Sequence, residues 1–438
     1  LLDGLEILET MQIDYRPFVF VPEIRGSDLP LCALLVLWLN DLRLGKARLY
    51  VPAVGVLALG FLAVAALSSV RAPSRYLAAV ELARQCKFVL IFLFAANTLD
   101  AKRTLRWVWL LVLSMVLLQG SATIFRFAFG FYDPFFGDLL GRADVAQSTP
   151  ITEWIMLEHE GWLSGFRNSF GTTMSPAVTS QLLLLGLPFA ALACMRNPLF
   201  RRGLVRAAPL CIGLVGLGLT FSRSSVIGGI VALALSFAFG IRARYVPRQT
   251  ALALTLCTVL GVAAMVPPLT LYFGRRQQNV EVRLEQYTTA LAMLRDHPLI
   301  GIGLNNSTGE ARRYSRYSYS LIDVRNRTFE QPVHSFVLTV LVEVGAIGFL
   351  LYFGFFGAIA ATAWRLTRPP AEPDDACSAG AFLLGILALG VGVLTNPLFD
   401  DGVQTFLWLY AGTIVALARR VTVKSLASAA PLRQAFAT

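Results

Sequence analysis

Charge is scarce in this sequence, and lysine scarcer still. Acidic and basic residues make up 15% of 438 residues, against roughly 25% in an average soluble domain, while 56% are hydrophobic. A soluble chain of this composition has too little polar surface to cover itself. Of the 38 basic residues only Lys46, Lys87, Lys102 and Lys424 are lysine, so arginine carries the formal charge of +11. A high-GC coding bias accounts for arginine without any function, and bidentate binding of carboxylate or phosphate accounts for it with one. Only the position of an individual arginine therefore argues for a site. Histidine occurs three times, and the six cysteines (Cys32, Cys86, Cys194, Cys211, Cys257 and Cys377) lie mostly inside apolar runs without CxxC or ligand spacing. That pattern speaks against a disulfide or metal framework. Also missing are a Walker A sequence, a nucleotide-binding glycine fingerprint, a repeat of solenoid length and a soluble domain at either end. No cleavable signal peptide is visible, since the chain opens on Leu1 without an initiating Met or a basic n-region. Leu1–Tyr15, with Asp3, Glu6, Glu9 and Asp14, reads as the remainder of a first spanning or re-entrant element.

Long hydrophobic runs are what the chain does have. Tyr50–Val70, Thr250–Leu271 and Ser335–Ala361 are each long enough to cross a hydrocarbon layer of about 30 Å. Further spans are read at 28–42, 84–99, 105–124, 174–195, 205–221, 224–241, 379–396 and 403–418. The expected fold class is all-α: a polytopic helical membrane protein of about 12 transmembrane helices, forming a single integral membrane domain over residues 1–438. Short basic loops at Arg43–Arg48, Lys102–Arg106, Arg196–Arg206, Arg242–Arg248, Arg365–Arg368 and Arg419–Lys424 fall on one side when the spans are counted consecutively. The positive-inside rule makes that side cytoplasmic. The outer side receives 70–83, the 222–224 turn, 396–402 and two large segments, 125–173 and 272–334. Both large segments are too rich in aromatic residues for plain linkers, and loops of this length usually carry function. The cytoplasmic stretch 369–378 reads as an ordinary linker.

The outer residues are the ones that look chemical. Arg167, in Gly165–Phe166–Arg167–Asn168–Ser169–Phe170–Gly171, is either a snorkelling interfacial arginine or part of a site. Arg223 sits in a Ser-Arg-Ser-Ser turn on the side where the positive-inside rule does not account for it, and charges near the membrane often line a polar path or ligand site. Residues 281–296, with Arg283 on them, have the spacing of an amphipathic helix that Pro298 ends. Gly301 and Gly303 beyond it permit close backbone packing or a tight turn, and their spacing fits no standard phosphate loop. His334 opens a strongly apolar helix after an arginine- and tyrosine-rich loop. It serves either to bond a loop carbonyl or to accept a proton near neutral pH. His159 and His297 complete the histidines, and Glu158 and Glu160 beside His159 suit a solvated loop as well as a site.

Several pieces taken together resemble the bacterial O-antigen ligase and O-antigen polymerase superfamily. They are Arg167 with Phe170–Gly171 and Pro176; Ser222–Arg223–Ser224; Arg283 followed by Ala292–Met293 and Asp296–His297–Pro298–Leu299–Ile300–Gly301–Ile302–Gly303; and His334–Ser335 followed by Glu343, Gly345 and Gly348. The resemblance implies a fold of about twelve helices, with glycan transfer at the periplasmic face and 125–173 and 272–334 as periplasmic segments. The spacing of His334 and Gly345 is closest to the ligases, which implies transfer of a polysaccharide from undecaprenyl diphosphate to lipid A-core. The alternatives are an O-antigen or exopolysaccharide polymerase using lipid-linked repeats, and a lipid-linked glycan transporter. As catalytic residues the resemblance implies His334 and Arg283, and as diphosphate ligands Arg167, Arg223 and Arg283. Tyr287, Tyr314, Tyr317 and Tyr319 are candidate glycan contacts. An inverting, metal-independent transfer with no cofactor is expected. The expected partners are the undecaprenyl-diphosphate-linked glycan, the lipid A-core acceptor and membrane lipids, with no nucleic acid.

Overall fold

The computed structural model describes residues 28–99, 102–129, 176–196, 203–220, 222–245, 278–314, 333–369, 371–394, 396, 398 and 400–435. Among them the regular structure is α-helical throughout. The elements are α1 (Asp28–Arg43), α2 (Gly55–Val70), α3 (Arg75–Thr98), α4 (Lys102–Phe129), α5 (Pro176–Met195), α6 (Gly203–Leu219), α7 (Arg223–Arg242), α8 (Gln278–Asp296), α9 (Ser307–Tyr314), α10 (Phe336–Leu366), α11 (Pro373–Val393) and α12 (Asp401–Ala435). Six of these, α4, α5, α7, α10, α11 and α12, are long and apolar enough to cross a membrane. The chain is thus an all-α, multi-pass membrane protein. The expected span 250–271 and nearly all of the segment 125–173 lie outside the described residues.

Two helices start earlier than the hydropathy pattern suggests, for electrostatic reasons. Helix α3 begins at Arg75, behind an N-cap at Ser74 that accepts the Leu77 N–H, and so adds Glu81 to the Arg84 and Lys87 of the expected span. These charges are not in a loop, because Arg84 pairs with Glu81 at 2.7 Å and with Asp401 at 3.3 Å, and Lys87 pairs with Asp401 at 2.8 Å. Charges paired in this way are tolerated among packed helices where lone ones are not. Helix α11 begins at Pro373, so residues 373–378 of the stretch 369–378 expected to be a linker are helical. Proline suits the first helical position, and Asp374 and Asp375 in the first turn favour its positive end. Asp375 is also buried and pairs with Arg420 of α12. Asp375→Ala leaves a buried guanidinium without its carboxylate, and is expected to cost about 3–5 kcal/mol. The melting temperature of the detergent-solubilised protein checks this, and a Leu/Leu replacement of both residues is expected to recover most of the loss.

The helices fall into two compact units. In the first, which holds α1–α3, α8–α10, α12 and the starts of α4 and α11, α3 packs on α2 and α12, and α10 packs on the same two helices. Its centre is aromatic: Phe92 meets Phe355 edge-on at 5.0 Å, and Phe355 stacks on Trp408 at 4.9 Å. In the second, α5 packs against α6 and α7, and nearly all of it is buried, which is why its sequence is apolar on every face.

Contacts within the first unit agree with the alternation of the spans. Lys102 pairs with Glu372 at 2.7 Å, Asp375 with Arg420, and the Arg419 guanidinium lies 5.5 Å from the Tyr50 ring. All of these belong to the side with the short basic loops. On the other side, Asn306 bonds Ser74, and the Phe336 N–H donates to the Asn396 carbonyl at 3.2 Å.

Candidate active site

The centre of the site is a break in a helix. Within α10, Gly345 has φ 67° and ψ −175°, which interrupts the hydrogen-bond ladder. Backbone groups freed at membrane depth must find partners in the protein. The loop Pro298–Gly303 supplies them on both sides of the break. Ile302 and Gly303 N–H donate to the Val342 and Glu343 carbonyls at 3.1 and 3.0 Å, and Ala346 and Ile347 N–H donate to the Pro298 and Leu299 carbonyls at 2.9 and 3.2 Å. Ser68 of α2 donates a further bond to the Glu343 carbonyl at 2.7 Å. Such pairing needs main chains almost in contact. A Cβ on Gly345 would stand 2.3 Å from the Leu299 carbonyl carbon, and one on Gly301 2.4 Å from that of Glu343. The glycines after Pro298 and the glycine after Glu343 are therefore two halves of one backbone interlock.

Side chains fasten the same loop. The buried Glu343 carboxylate accepts the Ser307 hydroxyl at 2.7 Å and the backbone N–H groups of Asn305 and Ser307, which ties the start of α9 to α10. Asn306 accepts the Ser74 N–H at 2.8 Å and donates to the Ser74 carbonyl at 3.2 Å.

His334 sits just before the Ser335 N-cap of α10 and is half-buried. Two neighbouring residues of α8 hold it. The His334 backbone N–H donates to Gln286 Oε1 at 3.2 Å, and its ring Nδ1 lies 3.0 Å from the same oxygen. The Tyr287 hydroxyl donates to the His334 carbonyl at 3.1 Å. Beneath this clamp Val333, Ala290, Met293, Ile302, Ala311 and Val342 form an apolar cluster, with the Tyr287 and Tyr314 rings packed against it. Tyr314 also bonds Asp296, and burial, reinforced by that bond, raises its phenol above the usual range. Arg283 lies one turn before Gln286 and Tyr287, at the i, i+3 and i, i+4 spacings that put side chains on one face. It is half-buried and makes no ion pair or hydrogen bond among the described residues. Its position in the second turn places it near the positive end of the α8 dipole.

A cavity of about 30 Å³ lies among α2, α3, α10 and α12, lined by polar groups that include Glu81, Arg84, Gln85, Asn305, Glu343 and Gln404. It has room for about two water molecules, far short of a sugar ring or a diphosphate.

Of the residues singled out in the sequence, Arg283, His334, Tyr287 and Tyr314 come together in this assembly. Arg223 begins α7 in the second unit, and Arg167, Tyr317, Tyr319 and His159 lie outside the described residues. His297 is exposed at the end of α8. The amphipathic helix expected at 281–296 is present as α8, three residues longer at its start. Gln286 escaped the sequence reading. The one available signal was its i, i+3 position relative to Arg283 on that helix.

Residues 208–353, about a third of the chain, match the family model described as O-antigen ligase. The matched stretch runs from α6 into α10 and contains Arg223, Arg283, Gln286, His334 and the interlock, while Arg167 precedes it. No curated protein matches the chain.

Proposed function

We propose that this chain is a membrane glycosyltransferase of the O-antigen ligase type, moving a polysaccharide from undecaprenyl diphosphate to lipid A-core at the periplasmic face of a bacterial inner membrane. The observation that carries the reading is the clamp on His334: a half-buried imidazole fixed by the same helix that presents Arg283, which has no partner among the described residues, within the stretch matching O-antigen ligase. The sidedness of the basic loops supports a site on the face away from the cytoplasm.

In this mechanism the acceptor hydroxyl attacks the anomeric carbon of the donor sugar while its proton passes to the His334 imidazole. A C–O bond forms to the acceptor as the C–O bond to the diphosphate breaks, and the electron pair leaves on the diphosphate oxygen. A single displacement inverts the anomeric centre. Arg283 takes up the charge that develops on the leaving group through bidentate contacts to phosphoryl oxygens. The leaving group is already a good one, so the demands on the protein are orientation, proton removal and charge compensation.

Arg283→Ala is expected to lower kcat/KM by about 10²- to 10³-fold, as for removal of one preorganised donor to a developing anion. Lysine at this position is expected to restore little, because an ammonium is a point charge without the planar fork. Steady-state assays at varied donor concentration check both variants. The reading itself is tested by giving the purified protein undecaprenyl-diphosphate-linked glycan together with either lipid A-core or a second lipid-linked repeat. Glycan on lipid A-core supports the ligase reading, and elongated lipid-linked glycan in its place identifies a polymerase.

A further inference from the structure

We infer that Gln286 is a positioning residue that fixes the proton pattern of His334, holding the ring with Nδ1 protonated and Nε2 as the proton acceptor. The inference rests on the reading of His334 as the base that activates the acceptor.

The assignment follows from one atom that cannot change its role. A backbone N–H only donates, so the Gln286 atom 3.2 Å from the His334 N must be the amide oxygen and not the amide nitrogen. This settles the amide orientation, which distances alone leave ambiguous. The ring Nδ1 lies 3.0 Å from that same oxygen, and an amide oxygen only accepts, so Nδ1 must carry the hydrogen. A neutral imidazole has a single N–H, and its lone pair is then on Nε2, at the far edge of the ring from α8. Tyr287, holding the His334 carbonyl, prevents the backbone from turning the ring away from this arrangement.

Apart from its bonds to the His334 backbone and ring, Gln286 has no polar partner among the described residues. It is fully buried on the apolar side of α8, where its neighbours Ala290 and Met293 belong to the hydrophobic cluster. Its Nε2 has no hydrogen-bond partner among the described residues, so the amide is held by its oxygen end alone. Leucine would fill this position without burying an unpartnered donor. What leucine would lack is the oxygen that reads His334.

An amide at this position also has an effect that a carboxylate would reverse. A carboxylate beside Nδ1 favours the imidazolium and raises its pKa. A neutral amide oxygen orients the ring without adding a charge that would favour the imidazolium. Gln286 thus fixes the geometry of a histidine–acid pair without the accompanying rise in basicity.

The test uses the full-length protein in lipid nanodiscs, with 15N-labelled histidine, and the His334 signal assigned by its loss in His334→Ala. The expected spectrum has Nδ1 protonated and Nε2 bare, and a ring protonated on Nε2 overturns the inference. Kinetics supply the second readout. Gln286→Glu keeps the accepting oxygen and adds charge, so the acidic limb of the kcat/KM profile is expected to move upward by about one pH unit or more, with activity returning at high pH. Gln286→Leu is expected to lower kcat by between about tenfold and 10³-fold with KM nearly unchanged, a part of what a positioned base contributes. If Gln286 only fills space, both variants change the amount of folded enzyme while the pH profile of the folded fraction stays that of the unmodified protein, and the inference fails. Full turnover in His334→Ala sinks the underlying base reading. Abolished turnover in that variant together with a wild-type ring protonated on Nε2 sinks only the role of Gln286.

Discussion

Alanine in place of His334 is expected to slow glycan transfer by about 10²- to 10⁴-fold, the usual contribution of a positioned general base. The protein is expected to remain folded, because the imidazole is only half-buried, and its contact with Gln286 is made from Nδ1 at the protein's edge of the ring. The two bonds made by the His334 backbone, to Gln286 and Tyr287, do not depend on the side chain. Ser335 still caps α10, and Val333 still sits in the apolar cluster. The measurement is turnover with saturating donor and acceptor, alongside a melting curve of the same preparation. A variant that melts like the unmodified protein but transfers at less than about a hundredth of its rate is the expected result. Turnover within a factor of about two would remove His334 from the mechanism.

The largest structural effect is expected from Gly345→Ala. Position 345 combines a φ of 67° with backbone on every side: a Cβ there would stand 2.3 Å from the Leu299 carbonyl carbon and 2.4 Å from the Ile300 nitrogen. Left-handed strain alone costs about 1–3 kcal/mol, and a clash with main chain cannot be relieved by turning a side chain. The loop must withdraw, and with it go the four backbone bonds that satisfy the broken helix. The expected loss is at least about 3 kcal/mol, visible as a sharp fall in melting temperature and in the monodisperse yield from detergent. Gly354→Ala in the same helix is the control. A Cβ there meets nothing within 4 Å, so the variant is expected to be neutral or slightly more stable. Equal melting of the two variants would mean that the break in α10 does not depend on the loop.

Much of this architecture was legible in the sequence, because burial in lipid writes itself as hydrophobic length. The cores of α4, α5, α7 and α10 lie where the apolar runs are, and α8 lies where the amphipathic spacing is. The sequence misled where charge is hidden by pairing. Glu81 falls in the expected loop until Arg84 is seen to pair with it, and Arg84 and Lys87 look out of place in a span until Asp401, more than three hundred positions away, is seen to compensate them. The same holds for Asp375, which looks like linker until Arg420 reaches it.

The site was partly legible for a related reason. His334 and Arg283 stand out because charged or titratable groups on the side expected to face away from the cytoplasm need an explanation. Gly301, Gly303 and Gly345 also stood out, and the local reading of the first two as backbone packing was sound. What no local pattern carries is that the two glycine segments close on each other, since their pairing spans some forty residues of chain. Gln286 was invisible for the same reason. A glutamine on a helix signals nothing until its partner, 48 positions later, is placed beside it.

The most direct measurement follows release of undecaprenyl diphosphate from undecaprenyl-diphosphate-linked glycan by the purified protein, with and without lipid A-core, in the unmodified enzyme and in His334→Ala. The expected result is release that requires lipid A-core, matches mole for mole the glycan appearing on it with an inverted anomeric centre, and falls with His334. Release that proceeds without lipid A-core, or glycan transfer to it that survives the loss of His334, would contradict the assignment of this assembly as the transfer site of a ligase.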